Sequence, residues 1–143
     1  MKIVDDLFVR EREYHVEYPE DAYSELRNLL ENKISFDVIT EDKYFNDVDR
    51  GVIRARIETL EVYDNHSQEE LEIFVTIKNN TLKIEIKAML VGTYDDSGWR
   101  NNIAYYGFAA LFHRYLGIKN HSAYEEAIEG KVDKIFRNID RIF

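Results

Sequence analysis

The chain contains no cysteine. That absence removes a disulfide framework, a thiolate zinc site and a cysteine nucleophile together. Glycine is scarce, at six residues. None of them falls in a G-x-G-x-x-G or Walker A frame, so a Rossmann or P-loop nucleotide site is not expected. Long apolar runs are also missing. The most apolar stretch, residues 103–116, is interrupted by His113 and Arg114 and falls short of the roughly 18 residues a membrane span needs. Cations are in deficit, 19 against 28 acids, which leaves a formal net charge of −9. They form no basic run, and an acidic chain repels nucleic-acid phosphates and anionic membranes. No nucleic-acid partner and no membrane partner are therefore expected. Residues 1–6 turn acidic before the apolar core of a signal peptide could form, which points to a cytoplasmic protein.

Hydrophobic residues make up 45% of the chain and charged residues 33%, a balance that collapses into a globular fold. The length of 143 residues is near the commonest size of one domain and long enough to bury a core unaided. One domain over residues 1–143 is expected.

Residues 7–18 read as a strand. Phe8, Tyr14, Val16 and Tyr18 share one parity, and Arg10 and Arg12 share it too, which suits an exposed middle or a sheet edge. Pro19 then opens a helix over residues 19–33, with Ala22, Leu26, Leu29 and Leu30 on one face. Ile34, Phe36 and Val38 alternate as a short strand, and the acidic residues 41–51 read as a loop or wide hairpin. In residues 52–63 the apolar parity switches from Ile53, Ala55 and Ile57 to Leu60 and Val62, which predicts a β-bulge near Thr59.

A hairpin follows. Leu71, Ile73, Val75 and Ile77 alternate with polar residues, and Leu82, Ile84, Ile86, Ala88 and Leu90 do the same. Between them Asn79-Asn80 tolerates the positive φ of a two-residue turn. That register sets Ile77 against Leu82, Val75 against Ile84, Ile73 against Ile86 and Glu72 against Lys87. Met89 and Val91 leave the strand's end apolar on both faces.

Residues 99–116 read as a helix that is apolar nearly all round, with Gly117 closing it. Ser122 and Glu125 fit a capping box that starts a last helix with the stripe Ile128, Val132, Ile135, Ile139 and Ile142. Strands followed by helices give an α+β fold. The expected architecture is an antiparallel sheet of about five strands, one helix after the first strand, and two C-terminal helices packed on one face.

Chemistry-bearing motifs are few. His15, His66, His113 and His121 offer no i, i+3 or i, i+4 pair. The acidic residues Glu41, Asp42, Asp47 and Asp49 miss an EF-hand frame, because Val48 and Arg50 stand where oxygens are needed. No G-x-S-x-G occurs, and no cofactor is expected. The segment that invites a function is residues 99–115, with Trp99, Arg100, Tyr105, Tyr106, Phe108, Phe112, His113 and Tyr115. Aromatics with sparse polar tips suit a central helix, a protein interface or a small-molecule pocket alike.

The run Val16-Glu17-Tyr18-Pro19-Glu20-Asp21-Ala22-Tyr23-Ser24-Glu25-Leu26 resembles the start of START-like (SRPBCC) helix-grip domains. There a strand ends at a proline and a helix follows. The resemblance implies a curved sheet gripped by a late helix, with a cavity for a small apolar ligand. Its lining here would be Ile73, Val75, Ile84 and Ile86 from the strands and Trp99, Arg100, Tyr106 and His113 from the late helix. The acidic composition and the sheet followed by two helices also look like the SecB-type export chaperone. That likeness implies a homo-oligomer or a protein partner, using the 99–116 helix and the 122–143 stripe. The expectation is a non-enzymatic binding domain. A START-like enzyme, with Arg100, Tyr106 and His113 as its polar groups, is the remaining reading.

Overall fold

Alternation sets the sheet. Along Ser67–Lys78 every second residue is buried, which is what period-two side chains produce when one face meets a core. The computed structural model describes residues 2–34, 36–47, 50–64, 66–93 and 118–143. Within them the strands are β1 (Lys2–His15), β2 (Val38–Asp47), β3 (Val52–Val62), β4 (Ser67–Lys78) and β5 (Thr81–Thr93). The helices are α1 (Pro19–Asn28), which runs on into a π-helical turn (Leu29–Lys33), and α2 (Ile118–Ile142). All pairings are antiparallel, and the strand order is β1-β5-β4-β3-β2. The described residues thus form an α+β fold on an antiparallel sheet, with β1 at one edge and β2 at the other.

The β4–β5 hairpin has the register the alternation predicts: Ile77 pairs Leu82, Val75 pairs Ile84, Ile73 pairs Ile86 and Glu72 pairs Lys87. Asn79 and Asn80 turn the chain with φ of 51° and 60°, the doubly left-handed turn whose twist suits a hairpin. Met89 and Val91 are buried although Ala88 and Leu90 on the opposite face are buried too.

One face of the sheet carries the core. Inward residues of β3, β4 and β5 join Ala22, Leu26, Leu29 and Leu30 from the first helical segment, and Ile128, Val132, Ile135, Phe136 and Ile139 from α2, in a single apolar cluster. The isoleucine stripe of α2 is therefore its core face. On the other face of the sheet, Glu58, Glu72 and Arg56 interact side by side. Arg10 and Arg12 lie on the helix-facing parity of β1 because α2 brings acids to them. Arg10 pairs with Glu129 at 2.8 Å and with Asp133, and Arg12 with Asp140 at 2.8 Å.

Four expectations need correction. The strand after α1 is not residues 34–38 but Val38–Asp47, and much of the supposed acidic loop is strand. Charge and solvent exposure are normal on an edge strand, so composition alone mistook it for a loop. There is no bulge at Thr59: the β3–β4 register runs unbroken from Val52↔Lys78 to Val62↔Gln68. Thr59 itself occupies the inward position, while Leu60 and Val62 sit on the other parity. The register shifts instead between Asp6 and Phe8 and between Glu41 and Lys43, each on an edge strand. Finally, α2 starts at Ile118, so Ser122 is inside the helix and caps nothing. The expected helix over residues 99–116 lies outside the described residues. No helix among the described residues is long and apolar enough to cross a membrane.

Candidate functional site

The parity that buries Leu71, Ile73, Val75 and Ile77 also turns Glu69 inward. Glu69 pairs across the sheet with Glu61, and Thr59 with Leu71. Two carboxylates therefore face each other on the helix-facing side of the sheet, with a threonine at the diagonal position. Glu69 is 0% exposed and Thr59 2%. Directly opposed acids repel, so this corner requires a cation.

The cation comes from α2. Lys131 follows Ile128 by three residues and precedes Val132, which places it on the flank of the buried stripe. Its Nζ donates to Glu69 Oε2 at 3.2 Å and also to Glu61. It lies 4.2 Å from the centroid of the Phe36 ring, a cation–π distance. The Tyr63 hydroxyl donates to the same Glu69 oxygen at 3.2 Å. Tyr63 stacks on Tyr124 with ring centroids 4.7 Å apart, and the Tyr124 hydroxyl donates to Asp64 Oδ2 at 2.6 Å. An aromatic flank thus joins the end of β3 to α2.

Burial raises the Glu69 pKa from its ordinary value to about 7. Lys131 opposes the rise, and Glu61 adds to it. Burial, helped by Glu69, also pushes the Tyr63 hydroxyl up, so it acts as a donor. With both glutamates ionised the corner holds two negative charges against one positive. Two of its polar atoms, Glu69 Oε1 and Thr59 Oγ1, are buried without a hydrogen-bond partner. Buried polar atoms are nearly always satisfied, which sets these two apart.

A second polar cluster differs in this respect. The Tyr23 hydroxyl donates to Glu41 beside Arg27, which donates to Glu41 at 2.7 Å and to Glu31 at 2.6 Å. Tyr44 packs on Tyr23 at 5.2 Å. An open groove of ≈ 570 Å³ runs past these groups. Arg27 bridges the two acids, and the cluster clamps α1 onto edge strand β2. Among the described residues no group of three or more His, Asp or Glu side chains is placed to hold a metal ion.

The residues expected from sequence divide in two. Ile73, Val75, Ile84 and Ile86 come together as expected on the inner face, 0–1% exposed within the core cluster. Trp99, Arg100, Tyr106 and His113 lie outside the described residues. Glu61, Glu69, Thr59 and Lys131 were missed. The signal for Glu69 was present: it continues the parity of Leu71 through Ile77, two residues before the first apolar position.

No protein-family model matches the chain, and no curated protein matches it. One solved structure, an uncharacterized protein from Rhizobium leguminosarum, is 13% identical. That alignment covers 89% of this chain and 99% of the other, with a TM-score of 0.26. A similarity of that size bears on neither fold nor function.

Proposed function

We propose that the chain is a non-enzymatic binding domain that holds a small, largely apolar ligand between the sheet's inner face and its helices, with the Glu69 corner as the polar anchor. The observation that carries this reading is the buried, half-satisfied carboxyl of Glu69 in an otherwise apolar wall. Leaving a buried acceptor unpaired costs about 1–3 kcal/mol, a cost that a ligand donor would remove. Lys131 and Tyr63 both donate to the other Glu69 oxygen, so in the ionised form Oε1 has no donor. Apolar walls with a few convergent polar groups are how small-molecule sites are built. Native mass spectrometry of protein purified from cells, set against its denatured mass, tests the reading. The expected result is extra mass that disappears on denaturation and is absent from a folded Glu69→Gln variant. A bare monomer in both forms would sink it.

An oligomeric or protein-binding module is favoured by a different observation. Among the described residues, edge strand β2 pairs on one side only and carries exposed Val38, Tyr44 and Phe45, as an edge that takes further strand pairing would. A ligand-free dimer or tetramer in the same spectrum would select that reading.

A further inference from the structure

We infer that the ligand anchored at the Glu69 corner carries an aliphatic amine head rather than a carboxylate; this rests on the binding reading above. The first argument is charge. Glu61 and Glu69 share one ammonium, Lys131, so a cationic head brings the corner to neutrality. An anionic head would add a third negative charge to the same buried space, where Coulomb terms are weakly screened.

The second argument is geometry. The unpartnered atoms are a carboxylate oxygen, which only accepts while ionised, and a threonine hydroxyl, which can accept. They belong to diagonal positions of the β3–β4 ladder, where Cβ atoms lie within about 7–8 Å of each other. An ammonium presents three donors and can address both atoms at once, whereas a carboxylate finds no spare donor at Glu69.

Among the described residues, the groups that face Glu69 are Glu61 and Tyr63 from β3 and the residue after it, and Lys131 from α2; on the β5 side its partner is Leu90. With its carboxyl raised to about 7, the ionised form that an amine needs fills as pH rises through neutrality.

The test is titration calorimetry of the full chain with octylamine, octanol and octanoate, at about pH 6 and about pH 8. Glu69→Gln and Thr59→Val run alongside, with far-UV dichroism to confirm folding. At the higher pH, octylamine should bind at least about tenfold more tightly than octanoate, in line with a charge-assisted hydrogen bond. The preference should shrink at the lower pH and fall to a few-fold in Glu69→Gln. Thr59→Val keeps the test alive if Glu69→Gln does not fold, and should weaken octylamine alone. Octanoate equal to or tighter than octylamine overturns the amine assignment and leaves the pocket standing. Octanol equal to octylamine overturns it in favour of a neutral donor. An unchanged preference in a folded Glu69→Gln assigns the attraction to the chain's general acidity and overturns it as well. If none of the three binds, the pocket reading itself falls, and Glu61 and Glu69 are a proton-sharing structural pair.

Discussion

Helix α2 is fastened to the sheet at two places by the same chemistry, and the outcomes are opposite. Along β1, Arg10 and Arg12 meet Glu129, Asp133 and Asp140, and every side chain in these pairs is at least a third exposed. The Asp140 carboxyl is held below its ordinary pKa, chiefly by the hydrogen bond from Tyr14, with help from Arg12. At the β3–β4 corner, Lys131 meets Glu61 and Glu69, and Glu69 is fully buried. There burial outweighs the cation and the carboxyl is pushed up. An exposed pair keeps its water and gains a little from its partner. A buried pair gives up its water first, and one lysine divided between two acids does not make good the loss. Each fastening has one more acid than cations, but only the Glu69 corner buries a carboxylate.

The largest effect should follow from removing the cation that Glu61 and Glu69 share. Lys131→Met keeps the apolar stem and leaves two opposed carboxylates. At about pH 8, where Glu69 would otherwise be ionised, denaturant unfolding should show a loss of about 3–5 kcal/mol, the usual cost of stranding a buried charge. Below neutrality Glu69 takes up a proton and the loss should shrink. A small, pH-independent loss would show that the corner is wetter than its burial implies.

Next comes the pH profile of the native chain. The folded pKa of Glu69 is raised from 4.5 to about 7. Its contribution is therefore fully present below the unfolded pKa and is lost as pH rises through the folded one. The window is about pH 4.5 to 7, and a shift of that size corresponds to ~3 kcal/mol. Glu69→Gln should flatten the profile across this window, as followed by thermal melts at stepped pH. A slope that survives the substitution would mean that another group carries it.

The hairpin that forms the floor of this corner was legible from sequence, because three independent signals agreed in it. Alternation, the Asn79-Asn80 turn and the Glu72–Lys87 pair all require the same register. The stripe of α2 was legible for the same reason, since Ile128 to Ile139 keep one helical face. What failed was reading from composition. Glu41 and its acidic neighbours looked like a loop because edge strands can carry charge. Ser122 looked like a cap because the capping pattern also fits a helix interior. Half of the expected site, Ile73, Val75, Ile84 and Ile86, sits where parity placed it. Glu69 escaped because a glutamate on the apolar parity reads as the end of a strand. Only the cross-strand register reveals that Glu61 lies opposite it and that a lysine more than sixty residues later completes the group.

Tyr63→Phe sharpens the contrast within the corner. It removes one hydroxyl donor to Glu69 and leaves the stack on Tyr124. A hydrogen bond to a charged group is worth about 1.5–3 kcal/mol, so the loss should fall in that range where Glu69 is ionised and vanish where it is protonated. Losing a donor to the ionised form also raises the Glu69 pKa, so the midpoint of the stability slope should move to higher pH. An unchanged midpoint would mean that the hydroxyl spends its time elsewhere.

The smallest effect belongs to the seam. Arg12→Ala removes the pair to Asp140 and the guanidinium that lies 4.9 Å from the Phe136 ring centroid. Exposed pairs are worth about 0.2–1 kcal/mol, and Tyr14 still holds Asp140 at 2.6 Å. The expected loss is under ~1 kcal/mol at neutral pH, and smaller still in high salt, where screening weakens the pair. Because the folded pKa of Asp140 is lowered, its contribution is present above the ordinary carboxylate range and is lost as pH falls into it, the reverse of Glu69. Melts of the two variants across pH should therefore diverge: Glu69→Gln changes the slope on the neutral side and Arg12→Ala only on the acid side. If Arg12→Ala instead costs as much as Lys131→Met, burial is not what separates the two fastenings, and the buried carboxyl of Glu69 no longer supports the proposed binding site.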